Sequence, residues 1–131
     1  MSIIRTEIDL PGLTLFKKGK VRNVYDLGET LLFVASDRLS AFDFILPHGV
    51  PDKGKILTTV SVFWFNALKS VMTTHFISAC IDDFPKETHE YRDILDGRSM
   101  WVKKTELIEI ECVVRGYLSG SAWKEYQQTG T

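Results

Sequence analysis

Apolar and polar residues alternate along positions 20–27: Val21, Asn23, Tyr25 and Leu27 fall on one side, and Lys20, Arg22, Val24 and Asp26 on the other. A period of two predicts a strand with unlike faces. Short apolar runs at 13–17 and 31–35 flank it, separated from it by Lys18-Gly19 and Gly28-Glu29. Glycine turns between such runs predict an antiparallel meander of three strands. Residues 1–13 form a leader ending at Pro11-Gly12, and 45–55 read as a loop broken by Pro47, Gly49, Pro51 and Gly54. The period then changes. Val60, Phe63, Trp64, Ala67, Leu68 and Val71 recur at steps of three and four, which predicts a helix over 58–74 with that stripe in the core and Thr58 or Thr59 as its cap. A strand is expected at 75–81, a polar connection at 82–97 with a short helix near 87–95, and two strands over 98–115 joined near 103–107. In the second of these, Ile108, Ile110, Cys112 and Val114 oppose Leu107, Glu109, Glu111, Val113 and Arg115. Ser119-Gly120-Ser121 is suited to start a final helix. The pattern predicts an α+β fold, an antiparallel sheet of about five strands carrying one main helix.

Composition narrows this picture without changing it. At 131 residues, with 44% hydrophobic and 25% charged residues, the chain is an ordinary single globular unit by length. The net charge of −1 gives no global drive towards nucleic acid or an anionic membrane surface. Cys80 and Cys112 stand far apart in apolar surroundings with no metal-ligand spacing, and read as reduced, buried thiols. The first twelve residues carry acidic groups where a secretory signal would be apolar, and no apolar run is long enough to span a bilayer. A cytoplasmic location is expected.

Three stretches carry candidate chemistry. In ECVVRGYLSGSAWKEY (111–126), Glu111 and Arg115 share a strand face, and Arg115 precedes a helix start; an arginine facing free helix-start amides suits a phosphate or carboxylate, and a solvated βα turn has the same composition. The first turn gathers Lys17, Lys18, Lys20 and Arg22 around Gly19. Glycine allows close approach of backbone to ligand and the cations neutralise phosphate, although a solvated basic hairpin looks alike, and the Walker pattern is absent. SDRLSAFDF (36–44) holds Asp37, Arg38, Ser40 and Asp43, a set that fits either a polar ligand or local turn and cap bonds. His48, His75 and His89 have no ligand-like spacing.

Taken together and in order, FKKGKVRNVYDLG, LLFVASDRLSAFDF, KGKILTTVSVFWF, RSMWVKK and ECVVRGYLSGSAWKEYQQTGT resemble the phosphoribosylaminoimidazole-succinocarboxamide synthase (SAICAR synthetase) family of de novo purine synthesis, in its longer form. The resemblance runs from about Leu13 onward, and the stretch ECVVRGYLSGS matches the family's signature. It implies an ATP-dependent, magnesium-requiring ligation of carboxyaminoimidazole ribotide to L-aspartate, through an acyl phosphate that the aspartate amine attacks. It also implies a kinase-like nucleotide lobe over 1–106, with 107–131 beginning a second lobe. Only small-molecule partners are implied, and no oligomeric state.

Carried over residue by residue, the resemblance makes Gly19, Lys20, Val21 and Arg22 the lid over the ATP phosphates, with Lys20 and Arg22 as the catalytic cations. Lys103, Thr105 and Leu107 would form a hinge at the adenine edge, and Glu111 would sit near a ribose or a cation. Arg115 and Ser121 would hold the ribotide phosphate, and Asp37, Ser40 and Asp43 would line the substrate side. The family often has proline where Glu109 stands, and an edge strand accommodates either residue. Family members exceed two hundred residues, so the magnesium carboxylates are expected beyond Thr131.

Overall fold

The computed structural model describes residues 3–42, 44–110 and 112–130. Its centre is a five-stranded antiparallel sheet in the order β1-β2-β3-β7-β6, formed by β1 (Thr14–Lys18), β2 (Arg22–Asp26), β3 (Thr30–Ala35), β6 (Phe76–Ser78) and β7 (Ser99–Lys103). A small hairpin of β4 (Ser40–Ala41) and β5 (Phe44–Ile45) lies apart from it. Three helices accompany the sheet: α1 (Lys53–Ala67), α2 (Arg92–Leu95) and α3 (Ser121–Thr129). The meander forms as the turn signals require, with Arg22 opposite Ala35 and Asp26 opposite Leu31. A bulge between Leu15 and Lys17 interrupts the β1–β2 register.

Strand alternation gives the sheet two different faces. Asn23, Tyr25, Leu32 and Val34 turn to one side, where Ile8, Leu10, Ile81, Phe84 and Leu95 close the main core. The leader is thus part of that core, and the Asn23 amide and Tyr25 hydroxyl both donate to the Ile8 carbonyl, at 3.0 and 3.2 Å. Leu31, Phe33, Met100 and Val102 turn to the other side, where Val62 and Phe65 of α1 cover part of them.

Helix α1 ends at Ala67, seven residues short of the expected 74, and departs from its expected form in two further respects. It starts at Lys53, five residues before Thr58, because the cap comes from another segment: the Gly54 N–H donates to Asp37 Oδ1 at 2.9 Å. A Cβ at Gly54 would lie 2.4 Å from the Ala35 carbonyl oxygen, so glycine is what lets the helix start press against the end of β3. The second departure is rotational. Gly54, Thr58, Ser61, Val62 and Phe65 face inward or are half-buried, while Val60, Phe63 and Trp64 are exposed by 49%, 62% and 55%. The close approach selects small residues for the inner face and leaves the large stripe outside. Phe65 stacks on Phe76 with centroids 5.1 Å apart. Phe65→Ala is therefore expected to cost about 2–3 kcal/mol in urea unfolding, and Trp64→Ala less than about 1 kcal/mol; the reverse order would show that the stripe is core after all.

The strand expected at 107–115 does not form among the described residues. Leu107, Ile108, Ile110, Val113 and Val114 are exposed, and no neighbouring strand meets them. A strand is held by its neighbours' backbone groups, so alternation without a partner yields an irregular segment. The short helix expected near 87–95 is a 3₁₀ turn (Lys86–Tyr91) running into α2, and the strand expected at 75–81 shortens to β6. Cys80 and Cys112, expected to be buried, are exposed, because neither side chain joins the core: Cys80 stands outside it beside the buried Ile81, and Cys112 lies on the irregular segment. Among the described residues, no helix is long and apolar enough to cross a membrane.

Candidate nucleotide site

The face of the sheet that α1 leaves open carries a cleft of about 580 Å³. Phe16, Val24, Leu31, Phe33 and Leu107 supply its apolar walls, and Lys17, Lys104 and Thr105 its polar rim. The walls follow from strand alternation: Leu31 and Phe33 share a face of β3, and Val24 is opposite Phe33 on β2. Phe16 sits in the β1 bulge. Lys104 closes one end, with its ammonium 2.7 Å from Asp26 Oδ2 and 5.6 Å from the centre of the Phe16 ring. The Lys104 hydrogen bond, with the Gly28 N–H, holds the Asp26 carboxyl below the usual carboxylate range. Behind Phe33 the His75 ring is packed edge-on against Phe65 at 5.3 Å, and burial pushes its pKa down, favouring the neutral ring.

After Lys103 the backbone changes role. Lys103 N–H still donates to the His75 carbonyl and Lys104 N–H to the Glu29 carbonyl. Thr105 and Leu107 follow as cleft-lining residues on irregular chain, and no backbone hydrogen bond engages them among the described residues. A flat heteroaromatic ring held between apolar walls needs such edge groups for orientation.

The basic turn lies further along the same face. Arg22 and Val24 point the same way on β2, two residues or about 7 Å apart. The turn closes through the Gly19 N–H, 2.7 Å from the Arg22 carbonyl. A Cβ on Gly19 would meet that oxygen at 2.9 Å, so the turn requires glycine. Arg22 borders the seam between β3 and α1 along with Phe33 and Thr58. Burial pushes the Lys53 ammonium below its ordinary value; Asp37 opposes this and the nearby Arg22 charge adds to it. Positive charge therefore gathers where the turn meets the start of α1.

The 36–38 segment serves as the brace between turn and helix. Asp37 is fully buried: its carboxylate accepts from Arg98 Nη1 at 3.0 Å, from the Gly54 N–H at 2.9 Å and from the Arg5 N–H at 2.7 Å. This engages Asp37 inside the fold, where the capping alternative of its composition is realised. Ser40 is half-buried in β4, Ser121 is the first residue of α3, and Arg115 is exposed on the irregular segment. No side-chain hydrogen bond or ion pair joins Arg115 or Ser121 to the turn among the described residues. Asp43 and Glu111 lie outside the described residues. Sequence reasoning missed Phe16, Val24 and Phe33 as walls and Lys104 as the end piece; the shared face of Val24, Leu31 and Phe33 carried the signal.

The family model of SAICAR synthetase matches residues 15–131. The chain belongs to the SAICAR synthetase family. The phosphoribosylaminoimidazole-succinocarboxamide synthase of Citrifermentans bemidjiense is 56% identical over 122 residues, covering 93% of this chain and 41% of that protein. The enzyme of the same name from Geotalea uraniireducens is 53% identical over 131 residues, covering 100% of this chain and 44% of that protein. A solved structure, SAICAR-synthase from Saccharomyces cerevisiae complexed with SAICAR, superposes with a TM-score of 0.87 at 44% identity, covering 96% of this chain and 45% of that one. The chain thus spans less than half the length of these SAICAR synthetases. The α+β fold, with its antiparallel sheet and packed helix, is the fold of the matching part of the family.

Proposed function

We propose that this chain is the nucleotide-binding lobe of an ATP-dependent ligase that joins the carboxylate of carboxyaminoimidazole ribotide to the amine of L-aspartate, giving SAICAR, ADP and phosphate. Residues 1–106 form the lobe and 107–131 begin a second one. The observation that carries this reading is the cleft: apolar walls from β1, β2 and β3, backbone at 105–107 that forms no hydrogen bond among the described residues, and the glycine-closed basic turn on the same face.

The chemistry follows from these parts. An imidazole carboxylate is a poor electrophile until one of its oxygens becomes a leaving group. Transfer of the γ-phosphoryl group to that oxygen forms an acyl phosphate and releases ADP. The aspartate amine then attacks the acyl carbon, the C–O bond breaks, phosphate leaves, and the amine loses a proton. The cleft holds the adenine, and the 105–107 backbone meets its edge. Lys20 and Arg22 offset charge that builds on the phosphoryl oxygens, as fixed cations in a partly dry site do effectively. In this reading Ser40, Arg115 and Ser121 serve the substrate side. Magnesium accompanies ATP in this reading, but among the described residues no group of three or more His, Cys, Asp or Glu could hold a metal ion, so no residue of this chain is assigned to it. A cytoplasmic setting fits a reaction among soluble metabolites.

A second reading, a nucleotide-binding module completed by a partner chain, is favoured by the exposure of residues 107–110 and 112–118, Arg115 among them. One experiment separates the two. The purified 131-residue chain is assayed with ribotide, aspartate and Mg-ATP, alone and with a fragment holding the remainder of a relative. No turnover alone and turnover with the fragment are expected from a ligase lobe. ATP binding without turnover in either mixture identifies a non-catalytic module, and turnover by the chain alone shows that the site is complete within it.

A further inference from the structure

The basic turn is anchored on both sides of Lys20 by a segment that belongs to neither of its strands. The Val21 carbonyl accepts from the Ser36 N–H at 2.9 Å and from Ser36 Oγ at 3.0 Å. The Gly19 carbonyl accepts from Arg38 Nη2 at 3.1 Å, and that nitrogen also donates to Asn23 Oδ1 at 3.0 Å. Arg38 Nε donates to Ser36 Oγ at 3.0 Å, which ties the two anchors together. Arg38 is only 4% exposed, and its charge lies 3.9 Å from Glu7 Oε1.

We propose that Arg38 is a positioning residue that holds the Gly19–Arg22 turn in the shape that grips nucleotide phosphates. The inference rests on the nucleotide reading above and adds to it a residue with no place in the cleft. Its logic is conformational. A glycine turn free to move would have to be ordered on binding, at a cost in affinity, whereas a turn already fixed avoids that cost. The guanidinium suits the task because its planar fork reaches three acceptors on three segments at once; a lysine ammonium on a flexible stem cannot match that geometry. With Gly19 held by Arg38 and Val21 by Ser36, the backbone of Lys20 has a single orientation relative to β3. Asp37, between the two anchors, fixes the same segment to the start of α1. Turn and helix are therefore positioned from one short stretch.

The test uses the 131-residue chain with Arg38→Lys and, separately, Ser36→Ala, which removes the Oγ bonds to Val21 and Arg38 and leaves the Ser36 N–H on the Val21 carbonyl. ATP and adenosine affinities are measured by calorimetry, amide exchange is followed at Gly19, and circular dichroism checks the fold. Arg38→Lys is expected to weaken ATP by about tenfold, to leave adenosine within about twofold, and to speed exchange of the Gly19 amide. Ser36→Ala is expected to move all three in the same direction, by less. ATP binding at the native strength in both variants overturns the proposal, as does an equal loss of ATP and adenosine, which marks a general structural role. A native chain that takes up neither ligand removes the nucleotide reading, and the proposal falls with it.

Discussion

Asp37→Ala is expected to destabilise the chain by about 3–5 kcal/mol, the largest single effect of any substitution considered. The aspartate and its partner Arg98 have side-chain exposures of 0% and 2%, so removal of the carboxylate strands a buried guanidinium. The same change removes the acceptor for the Gly54 N–H at the start of α1 and for the Arg5 N–H of the leader. Urea unfolding of the variant measures the loss, and a cost below about 1 kcal/mol would show that the node is dispensable. Acid probes it as well. Burial by itself raises the Asp37 carboxyl, but Arg98 and the two amides outweigh burial and hold it below the ordinary value. A carboxyl with a lower pKa in the folded state stabilises that state above its unfolded pKa, near 3.9, and ceases to do so as the pH falls through the folded value. Stability is therefore expected to hold from neutral pH down to about pH 4 and to fall below it, and the acid-side loss is expected to shrink in Asp37→Ala.

The double variant Lys20→Met, Arg22→Met is expected to lower ATP affinity by about a hundredfold while changing adenosine affinity less than about threefold. Each charge-assisted phosphate contact is worth about 1.5–3 kcal/mol, and screening at the open end of the cleft reduces the sum. Methionine preserves much of the apolar stem of both side chains, so the sheet is spared. Calorimetry with ATP, ADP and adenosine reads the result. Equal weakening of all three ligands would place the turn's contribution in the fold and not at the phosphates.

Much of this architecture was legible in the residues. The meander from Thr14 to Ala35 follows from alternation and two glycine turns, both local signals. The helix was legible as a helix but not in its rotation. Both of its faces carry apolar residues, and the large stripe of Val60, Phe63 and Trp64 outweighs the small inner face of Gly54, Thr58 and Ser61 on any hydrophobic scale. Only the close approach of the Gly54 backbone to the end of β3, where a Cβ would lie 2.4 Å from the Ala35 carbonyl oxygen, decides between them, and that is a tertiary fact. The helix start was misplaced for a related reason, since its cap is a side chain 17 residues upstream. The segment from Leu107 to Val114 reads as a strand because its pattern is right, yet pairing depends on a neighbour that the described residues do not supply.

At the candidate site the turn itself was legible, since Gly19 and the alternation beside it are local signals, whereas Thr105 and Leu107 were singled out only through the family resemblance. The division of labour within SDR was not legible. Asp37 and Arg38 fit either a polar ligand or local turn and cap bonds by composition, and in the structure both are buried, Asp37 accepting at the helix start and Arg38 donating to the turn. Sequence alone does not report which way a polar side chain points when both ligand and backbone offer partners.

In the proposed function the cleft and the basic turn together bind ATP. Chemical-shift mapping of the ¹⁵N-labelled 131-residue chain titrated with ATP tests it most directly. Saturable shifts are expected, confined to the amides of Phe16 to Val24, Leu31 to Phe33 and Lys104 to Leu107, with adenosine reproducing the cleft shifts and leaving Gly19 to Arg22 in place. Shifts centred elsewhere, or none at millimolar ATP, would contradict it.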